Sequence, residues 1–197
     1  MGRMDQLERM ARENGGILKT SMAVSAGISK PTLKAFIQKN GYERVLSGIY
    51  CAPDVLPDEM YLLQLRCPGL ILSHDTALFF YDLTDREPFN LTVTACTGYN
   101  PSHLTKDGVK VYTVKRELFE LGKTTAQTPY GNTVNTYNLE RTVCDIVRSR
   151  HTIDMQVYLD ALKQYARRRD RNLHRLMEYA RLFQVERIMT PYLEVLL

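Results

Sequence analysis

The sequence has no long apolar segment and no closely spaced cysteines. No run of apolar residues approaches the length of a membrane-spanning helix, about 18 or more, and the first residues lack the apolar core of a signal peptide. The four cysteines are far apart and lie among apolar neighbours, a pattern typical of buried free thiols rather than of a disulfide framework. We therefore expect a protein of the cytoplasm that makes no contact with membranes.

Motifs that carry enzyme chemistry are also missing. The sequence contains no phosphate-binding loop, no glycine-rich dinucleotide turn and no nucleophile elbow, and the predicted strands lack the paired carboxylates of a nuclease. The histidines lack the spacing of metal ligands. Ser73, His74 and Asp75 have the residue types of a hydrolytic triad, but adjacent residues at a helix start are not expected to face one another, and a helix-capping serine explains them better. We expect no catalytic site, no metal site and no cofactor.

Positive charge is concentrated at the amino-terminal end. Among 197 residues, 26 Lys and Arg stand against 22 Asp and Glu, which gives a formal net charge of +4. Residues 1–50 contain eight of the basic residues and only four acidic ones, so the rest of the chain is balanced. An excess of positive charge confined to one segment is the electrostatic footprint of nucleic-acid binding.

The segment from Lys19 to Cys51 has the pattern of a helix-turn-helix followed by a wing. Thr20 or Ser21 is suited to cap a short first helix, because a side-chain oxygen satisfies free N–H groups of the first turn. Gly27 then supplies the permissive backbone of a tight turn. Ser29 is expected to cap the second helix, and two short strands around residues 43–45 and 48–51 are expected to form the wing.

The second helix of this segment, over 29–40, is expected to contact DNA. Leu33, Phe36 and Ile37 form its apolar face. Lys34 on the opposite face suits guanine acceptors or phosphate, and Gln38 suits adenine. The alternative is a helical bundle whose lysines are only solvated. The predicted DNA-binding residues are Thr20, Ser29, Lys30, Pro31, Thr32, Lys34, Gln38, Lys39, Arg44 and Ser47.

The remainder of the chain mixes strand and helix patterns. Pro53 and Pro57 interrupt regular structure within residues 52–57, and they predict a junction between two domains, 1–52 and 53–197. Strand patterns follow at about 70–72, 90–95, 109–115 and 133–137, and residues 90–95 alternate as a half-buried strand does. Four amphipathic helices follow from Asn138 to Leu197, and Asn138 is expected to cap the first of them. In that helix Arg141 and Asp145 are one turn apart and are expected to form a local pair. The expected fold class is α+β: an N-terminal winged helix-turn-helix, then a mixed α/β domain (about 53–137) with a helical C-terminal subdomain (about 138–197).

A second group of basic residues lies in the helical part of the chain. Arg167, Arg168, Arg169 and Arg171 connect two predicted helices, with Lys163 nearby. Such a cluster repels itself unless it is solvated or meets a polyanion, and both interpretations stay open: a solvated corner, or contact with nucleic acid or an acidic partner.

Several segments in a fixed order identify a family that the chain resembles. The winged-helix start, LSHDTALFFYDLTD (72–85), NLTVTACTG (90–98), YNLERTVCDIVRSR (137–150) and LDALKQYARRRDRNLHRLMEYARLFQV (159–185) together resemble the AbiEi-type antitoxins of abortive-infection (type IV) toxin–antitoxin systems. The resemblance covers nearly the full length.

The resemblance implies a bacterial phage-defence protein with two roles. One is a repressor that binds inverted repeats upstream of its own operon, with 29–40 as reading helix and a wing near 44–48. The other is an antitoxin that counteracts a nucleotidyltransferase-like toxin, for which a stable complex is not required. By charge alone, the residues assigned to antitoxicity or polyanion contact are Arg141, Arg148, Lys163, Arg167, Arg168, Arg169 and Arg171.

A different regulator remains open as an alternative. In it, the winged helix would serve an ordinary ligand-responsive transcriptional regulator, unrelated to a toxin, whose α/β part senses a metabolite. A ligand that shifts the melting temperature or the affinity for DNA would favour this reading.

Overall fold

The computed structural model describes residues 2–196 and shows a mixed α+β protein. This part of the chain contains eleven α-helices, one 3-10 helix and two sheets. By its internal contacts the chain divides into two compact units, residues 1–66 and 67–197. The domain boundary expected after residue 52 falls inside the first unit. Within 2–196, no helix combines the length and the apolar character needed to cross a membrane. The predicted end of the last helix, Leu197, lies outside the described residues.

The first unit consists of four helices and a small antiparallel sheet. Strand β3 lies between β1 and β2. Leu33, Phe36 and Ile37 are buried, as predicted, and pack with Leu7 and Ile28 in one apolar core. The elements in chain order are α1 (Arg3–Glu13), β1 (Ile17–Lys19), α2 (Thr20–Ser25), α3 (Lys30–Lys39), β2 (Glu43–Leu46), β3 (Ile49–Cys51) and α4 (Glu59–Arg66).

The starts of α2 and α3 differ in how they are capped. At α3 the prediction is confirmed, because the Ser29 hydroxyl accepts the Thr32 N–H at 3.3 Å. At α2 the predicted side-chain cap is wrong. Lys19 occupies the cap position without a side-chain cap bond, since β1 runs directly into the helix. The N–H of Thr20 donates instead to the carbonyl of Gly48, at 2.7 Å.

The second unit is a five-stranded mixed sheet combined with helices. The strand order is β6-β5-β4-β8-β7, in which β4 runs parallel to β8 and antiparallel to β5. The elements are β4 (Ile71–Leu72), α5 (His74–Phe80), β5 (Thr92–Cys96), α6 (Ser102–Thr105), β6 (Lys110–Val114), α7 (Arg116–Phe119), β7 (Lys123–Gln127), β8 (Thr133–Tyr137), α8 (Leu139–Arg148), a 3-10 turn (Arg150–Thr152), α9 (Met155–Arg167), α10 (Leu173–Leu182) and α11 (Glu186–Leu196).

Helix α8 lies at the centre of the second unit. Asn138 caps it, as predicted, by accepting the Arg141 N–H at 2.9 Å. Every residue from Leu139 to Val147 is buried, including the polar ones. Because α5, α9 and α10 all contact α8, its polar face is covered as fully as its apolar face. A helix enclosed in this way needs partners for each of its buried charges.

The expectation of a half-buried strand at residues 90–95 is wrong. Thr92 and Thr94, assigned to the exposed side of the alternation, are 2% and 0% exposed. Helix α5 covers that side, and the backbone N–H of each of two threonines donates to the hydroxyl of the other: Thr76 N–H to Thr92 Oγ1 at 2.9 Å, and Thr92 N–H to Thr76 Oγ1 at 2.9 Å. The threonine side of β5 is therefore buried as well, in a polar contact between β5 and α5.

Candidate nucleic-acid interface

The outward face of α3 is exposed and basic. Leu33, Phe36 and Ile37 point into the core, and the side opposite them carries exposed residues. Within 2–196, the polar members of that exposed group make no hydrogen bond or ion pair with another side chain or with the backbone. The helix contains no acidic residue that would neutralise them. The residues of the predicted contact set that are exposed within α3 are Lys30, Pro31, Lys34, Gln38 and Lys39.

Two of the predicted contact residues, Ser29 and Thr32, already make hydrogen bonds within the protein at the start of α3. The hydroxyl groups of Ser29 and Thr32 lie 2.8 Å apart and share a hydrogen bond, and Ser29 also caps the helix. Their first role is therefore to fix the helix start. Ala35, absent from the predicted set, is exposed on the same face as Gln38. Helical spacing predicts this position for Ala35, but a methyl side chain offers no hydrogen bond, so a contact set built on polar groups leaves it out.

Strand β2 and the turn after it hold two of the other predicted contacts, Arg44 and Ser47. Arg44 donates from Nη2 to the Ser47 hydroxyl at 3.2 Å and from Nε to the Leu46 carbonyl at 3.4 Å. Gly48, with φ of +73°, allows the tight turn and accepts the backbone bond from Thr20. The structure thus joins Thr20 to the β2–β3 hairpin, which carries Arg44 and Ser47. The sequence analysis assigned these three positions to one surface.

The seven basic residues assigned to antitoxicity or polyanion contact fall into three groups. Arg141 is completely buried. Three arginines are partly exposed and hydrogen-bonded to the protein: Arg148, Arg168 and Arg171. Three side chains are exposed and make no hydrogen bond or ion pair among the described residues: Lys163, Arg167 and Arg169. Only this last group, called here the exposed basic trio, is fully available to a partner.

Arg141 organises the interior of the second unit. Its guanidinium lies between the rings of Tyr137 and Phe183, 4.0 Å and 4.2 Å from their centroids. It donates to Asp145 Oδ2 at 2.9 Å and to the carbonyls of Leu118 and Leu121 at 2.8 and 2.6 Å. Burial raises the pKa of Asp145, and the guanidinium groups beside it oppose that rise. The predicted local pair is confirmed, but it holds the core together and does not face a partner.

Arg168 and Arg171 stabilise the connection between α9 and α10. Arg168 makes two 2.8 Å hydrogen bonds with Asp170 and donates to the Tyr81 carbonyl at 2.6 Å. The bonds from Arg168 lower the pKa of Asp170 below its ordinary value. Arg171 donates to the Arg168 carbonyl. These two arginines stabilise a turn. The interpretation of the cluster as a solvated corner therefore does not describe Arg168 and Arg171.

A buried polar network surrounds the segment Ser73–His74–Asp75. His74 Nδ1 lies 2.9 Å from the Ser73 hydroxyl and Nε2 lies 3.0 Å from the Ser149 hydroxyl. The expectation that neighbouring residues here would not face one another is wrong, because His74 adopts a left-handed backbone with φ of +49°. Ser73 makes no side-chain cap bond, since its hydroxyl accepts from Thr94 instead, at 2.9 Å.

His74 is shielded from any substrate. Its ring is completely buried and stacks on Tyr112 with centroids 3.5 Å apart. Burial, and then the positive charges of Arg148, Arg141 and Lys110, place its pKa well below the ordinary value, so the imidazole is neutral. A neutral histidine with both nitrogens hydrogen-bonded and no surface exposed acts as a structural group.

A cleft lined by both charged and apolar side chains lies beside this network in the second unit. It has a volume of about 350 Å³ and runs between the loop 84–90 and the start of α9. Asp75, Lys110 and Asp154 line it, and burial raises the pKa of Asp75 while Lys110 opposes that rise. In the described part of the chain, no three His, Cys, Asp or Glu side chains converge as they do around a metal ion.

Comparisons with known proteins give a structural likeness. No protein-family model matches the sequence, and no curated protein matches it. Among solved structures, the chain is similar to the crystal structure of the RV2827C protein from Mycobacterium tuberculosis, with a TM-score of 0.58 and 13% identity. The similarity covers 88% of this chain and 69% of that one. At this identity the likeness shows the fold alone, a mixed α+β arrangement.

Proposed function

We propose that this protein is a DNA-binding antitoxin that represses its own bacterial abortive-infection operon. In this proposal the first unit is a winged helix-turn-helix in which α2 and α3 form the helix-turn-helix and β2–β3 form the wing. Helix α3 enters the major groove of inverted repeats, and the turn after β2 contacts the flanking backbone. The second unit counteracts a nucleotidyltransferase-like toxin without requiring a stable complex. No catalytic role is assigned.

One observation carries the DNA-binding half of the proposal. The outward face of α3 presents Lys30, Lys34, Gln38 and Lys39 without ion-pair or hydrogen-bond partners within 2–196 and without a nearby carboxylate on the helix. Exposed surface lysines are common on proteins, but they are usually interspersed with acids. A cationic helix face that starts with a capped, rigid first turn suits phosphate and base contacts. The toxin–antitoxin half is supported by the sequence resemblance alone.

Binding to DNA from upstream of the protein's own gene tests the first half. The full chain should bind this duplex more tightly than a scrambled one, and log Kd should change with log salt by about 0.9 for each phosphate contacted. Lys34→Ala and Gln38→Ala should each cost about 1–3 kcal/mol on the native duplex if they make good base contacts. Lys106→Ala is the matched control, because it removes an exposed lysine from the second unit.

The outcomes separate a repressor from a merely basic protein. Equal binding to native and scrambled duplexes would contradict sequence-specific repression. Wild-type affinity in both α3 variants, with selective binding retained, would show that another surface reads the DNA. A loss in the Lys106→Ala variant equal to that in Lys34→Ala would attribute the effect to net charge.

Growth rescue tests the antitoxin half. The full chain is expressed together with the toxin encoded beside it, and the combined variant Lys34→Ala/Gln38→Ala is expressed in parallel from an unrelated promoter. Rescue by both proteins is the expected result, because the second unit carries antitoxicity in this proposal. Absence of rescue by the wild-type protein, at matched expression, would overturn this half and leave the DNA-binding half standing.

The cleft in the second unit favours one alternative function. Its volume and its mixed acidic and basic lining suit a small polar metabolite, as a ligand-responsive regulator would require. Thermal-shift screening of polar metabolites, followed by DNA binding in their presence, tests this reading. A ligand that raises the melting temperature and changes operator affinity, and loses both effects in Asp154→Asn, would favour the sensor over the antitoxin.

A further inference from the structure

Two apolar side chains interrupt the basic surface of α3. Pro31 and Ala35 are exposed, and at i and i+4 they lie next to each other on the helix surface. At about 100° per residue, Gln38 lies on the same face, next to Ala35 and two turns from Pro31, and Lys34 lies next to Gln38. The core-facing residues of α3 are on the opposite side. The two side chains therefore form a shallow apolar strip, called here the Pro31–Ala35 strip, that no described part of the chain covers.

The other polar groups of α3 limit which DNA bases this face can recognise. The hydroxyl groups of Ser29 and Thr32 are hydrogen-bonded to each other and to the helix start. No Asp or Glu occurs in α3, so the helix offers no carboxylate to the amino group of cytosine. Gln38 remains as a side chain that can donate to and accept from one base at once, as adenine requires.

We propose that the Pro31–Ala35 strip reads the 5-methyl group of thymine and that Gln38 reads an adenine close to it. This inference rests on the proposed DNA-binding function and deepens it by naming the base chemistry. In the major groove, thymine differs from cytosine by its methyl group and its O4 acceptor, and alanine-sized apolar groups pack against that methyl. Lys34 contributes attraction to guanine acceptors or phosphate beside the strip.

Deoxyuridine scanning tests the inference, because deoxyuridine lacks only the methyl group of thymidine. The duplex preferred by the full chain is first selected from a random library. Each thymidine is then replaced in turn, and Kd is measured by fluorescence anisotropy at one fixed salt concentration. At one or two positions in each half-site the affinity should fall about fourfold, the value expected for one buried methyl group. At all other positions it should not change.

Variants connect the effect to the strip. In Ala35→Ser, which keeps the size of the side chain nearly constant but makes it polar, the deoxyuridine effect should shrink below about twofold. Gln38→Ala should relax the preference for adenine and leave the deoxyuridine effect intact. Lys39→Ala should weaken binding equally on all duplexes, as a phosphate contact does. Replacement of the sensitive thymidine by 5-methylcytidine should retain more affinity than replacement by cytidine.

Failure of this inference is distinct from failure of the proposed function. If selected duplexes bind tightly and no deoxyuridine position matters, methyl reading is overturned while DNA binding stands. The same holds if the effect persists unchanged in Ala35→Ser and in Pro31→Ala, since another residue then contacts the methyl. If the library yields no preferred duplex, the proposed sequence-specific function itself fails.

Discussion

The guanidinium of Arg141 and the carboxylate of Asp145 lie 2.9 Å apart, and neither side chain is exposed to solvent. Removal of Arg141 leaves the buried Asp145 carboxylate with Arg148, 3.4 Å away, as its remaining charged partner. Arg141→Met should therefore lower the free energy of unfolding by about 3–5 kcal/mol, measured by urea denaturation with far-UV circular dichroism. The double variant Arg141→Met/Asp145→Leu should recover part of that loss. A single-variant loss below about 1 kcal/mol would contradict the structural role assigned to Arg141.

His74 should make the protein sensitive to acid. Its folded pKa lies well below the ordinary 6.5, so its contribution to stability is present above that value and is lost as the pH falls below it. As the pH falls below 6.5 the loss from this one group should approach, and not exceed, about 1.4 kcal/mol per pH unit, which is the limit for a single proton. His74→Asn, which tolerates the left-handed backbone, should be less stable at pH 7.5 but should lose this slope.

An exposed histidine provides the matched control for that experiment. His151→Asn should retain the wild-type dependence of melting temperature on pH, because His151 is exposed. Acid sensitivity that is equal in wild type and His74→Asn would show that carboxylates, rather than the buried imidazole, set the slope.

The four free cysteines should divide into two classes of reactivity. Cys51 and Cys144 are buried, and burial raises the pKa of both thiols. Cys67 and Cys96 are partly exposed. Brief treatment of the native protein with iodoacetamide at pH 8 should therefore label Cys67 and Cys96 first, as read by peptide mass spectrometry. Urea should make all four equal; fast labelling of Cys144 in the native protein would contradict the packing around α8.

The exposed basic trio and Arg168 should behave differently when mutated. Replacement of Lys163, Arg167 and Arg169 by Ala should change the free energy of unfolding by less than about 0.5 kcal/mol, since these side chains are exposed. Arg168→Ala should cost about 1–2 kcal/mol, because it removes the bonds to Asp170 and to the Tyr81 carbonyl. If the trio variant keeps its melting temperature but no longer rescues growth from the toxin, the trio contacts a partner.

Local signals in the sequence predicted the helices well. The caps expected at Ser29 and Asn138 are both formed, because a cap depends on atoms three residues away. Helical spacing also predicted which residues are buried, as on the apolar face of α3. By contrast, β1 and β7 escaped prediction. The three residues of β1 and the mostly polar KTTAQ segment of β7 owe their strand conformation to distant partners, β3 and β8.

Burial of charge and strained backbone also lay beyond the sequence. The spacing of Arg141 and Asp145 predicted their pairing but not their burial, which depends on Phe183 and on the carbonyls of Leu118 and Leu121. Likewise, in a regular helix the side chains of adjacent residues do not face each other, but the left-handed conformation of His74 brings its ring to the Ser73 hydroxyl. For the candidate interface, helical periodicity sufficed to orient α3, whereas the tie between Thr20 and Gly48 required the fold.

That tie has a consequence for how a duplex would be recognised. The hydrogen bond from Thr20 to the Gly48 carbonyl already orders the β2–β3 hairpin, which carries Arg44 and Ser47, in the free protein. If the hairpin contacts DNA as proposed, the protein loses little conformational entropy on binding. Most of the conformational change on binding then takes place in the DNA. Sequences whose base steps bend or widen easily would be favoured at positions that no side chain touches.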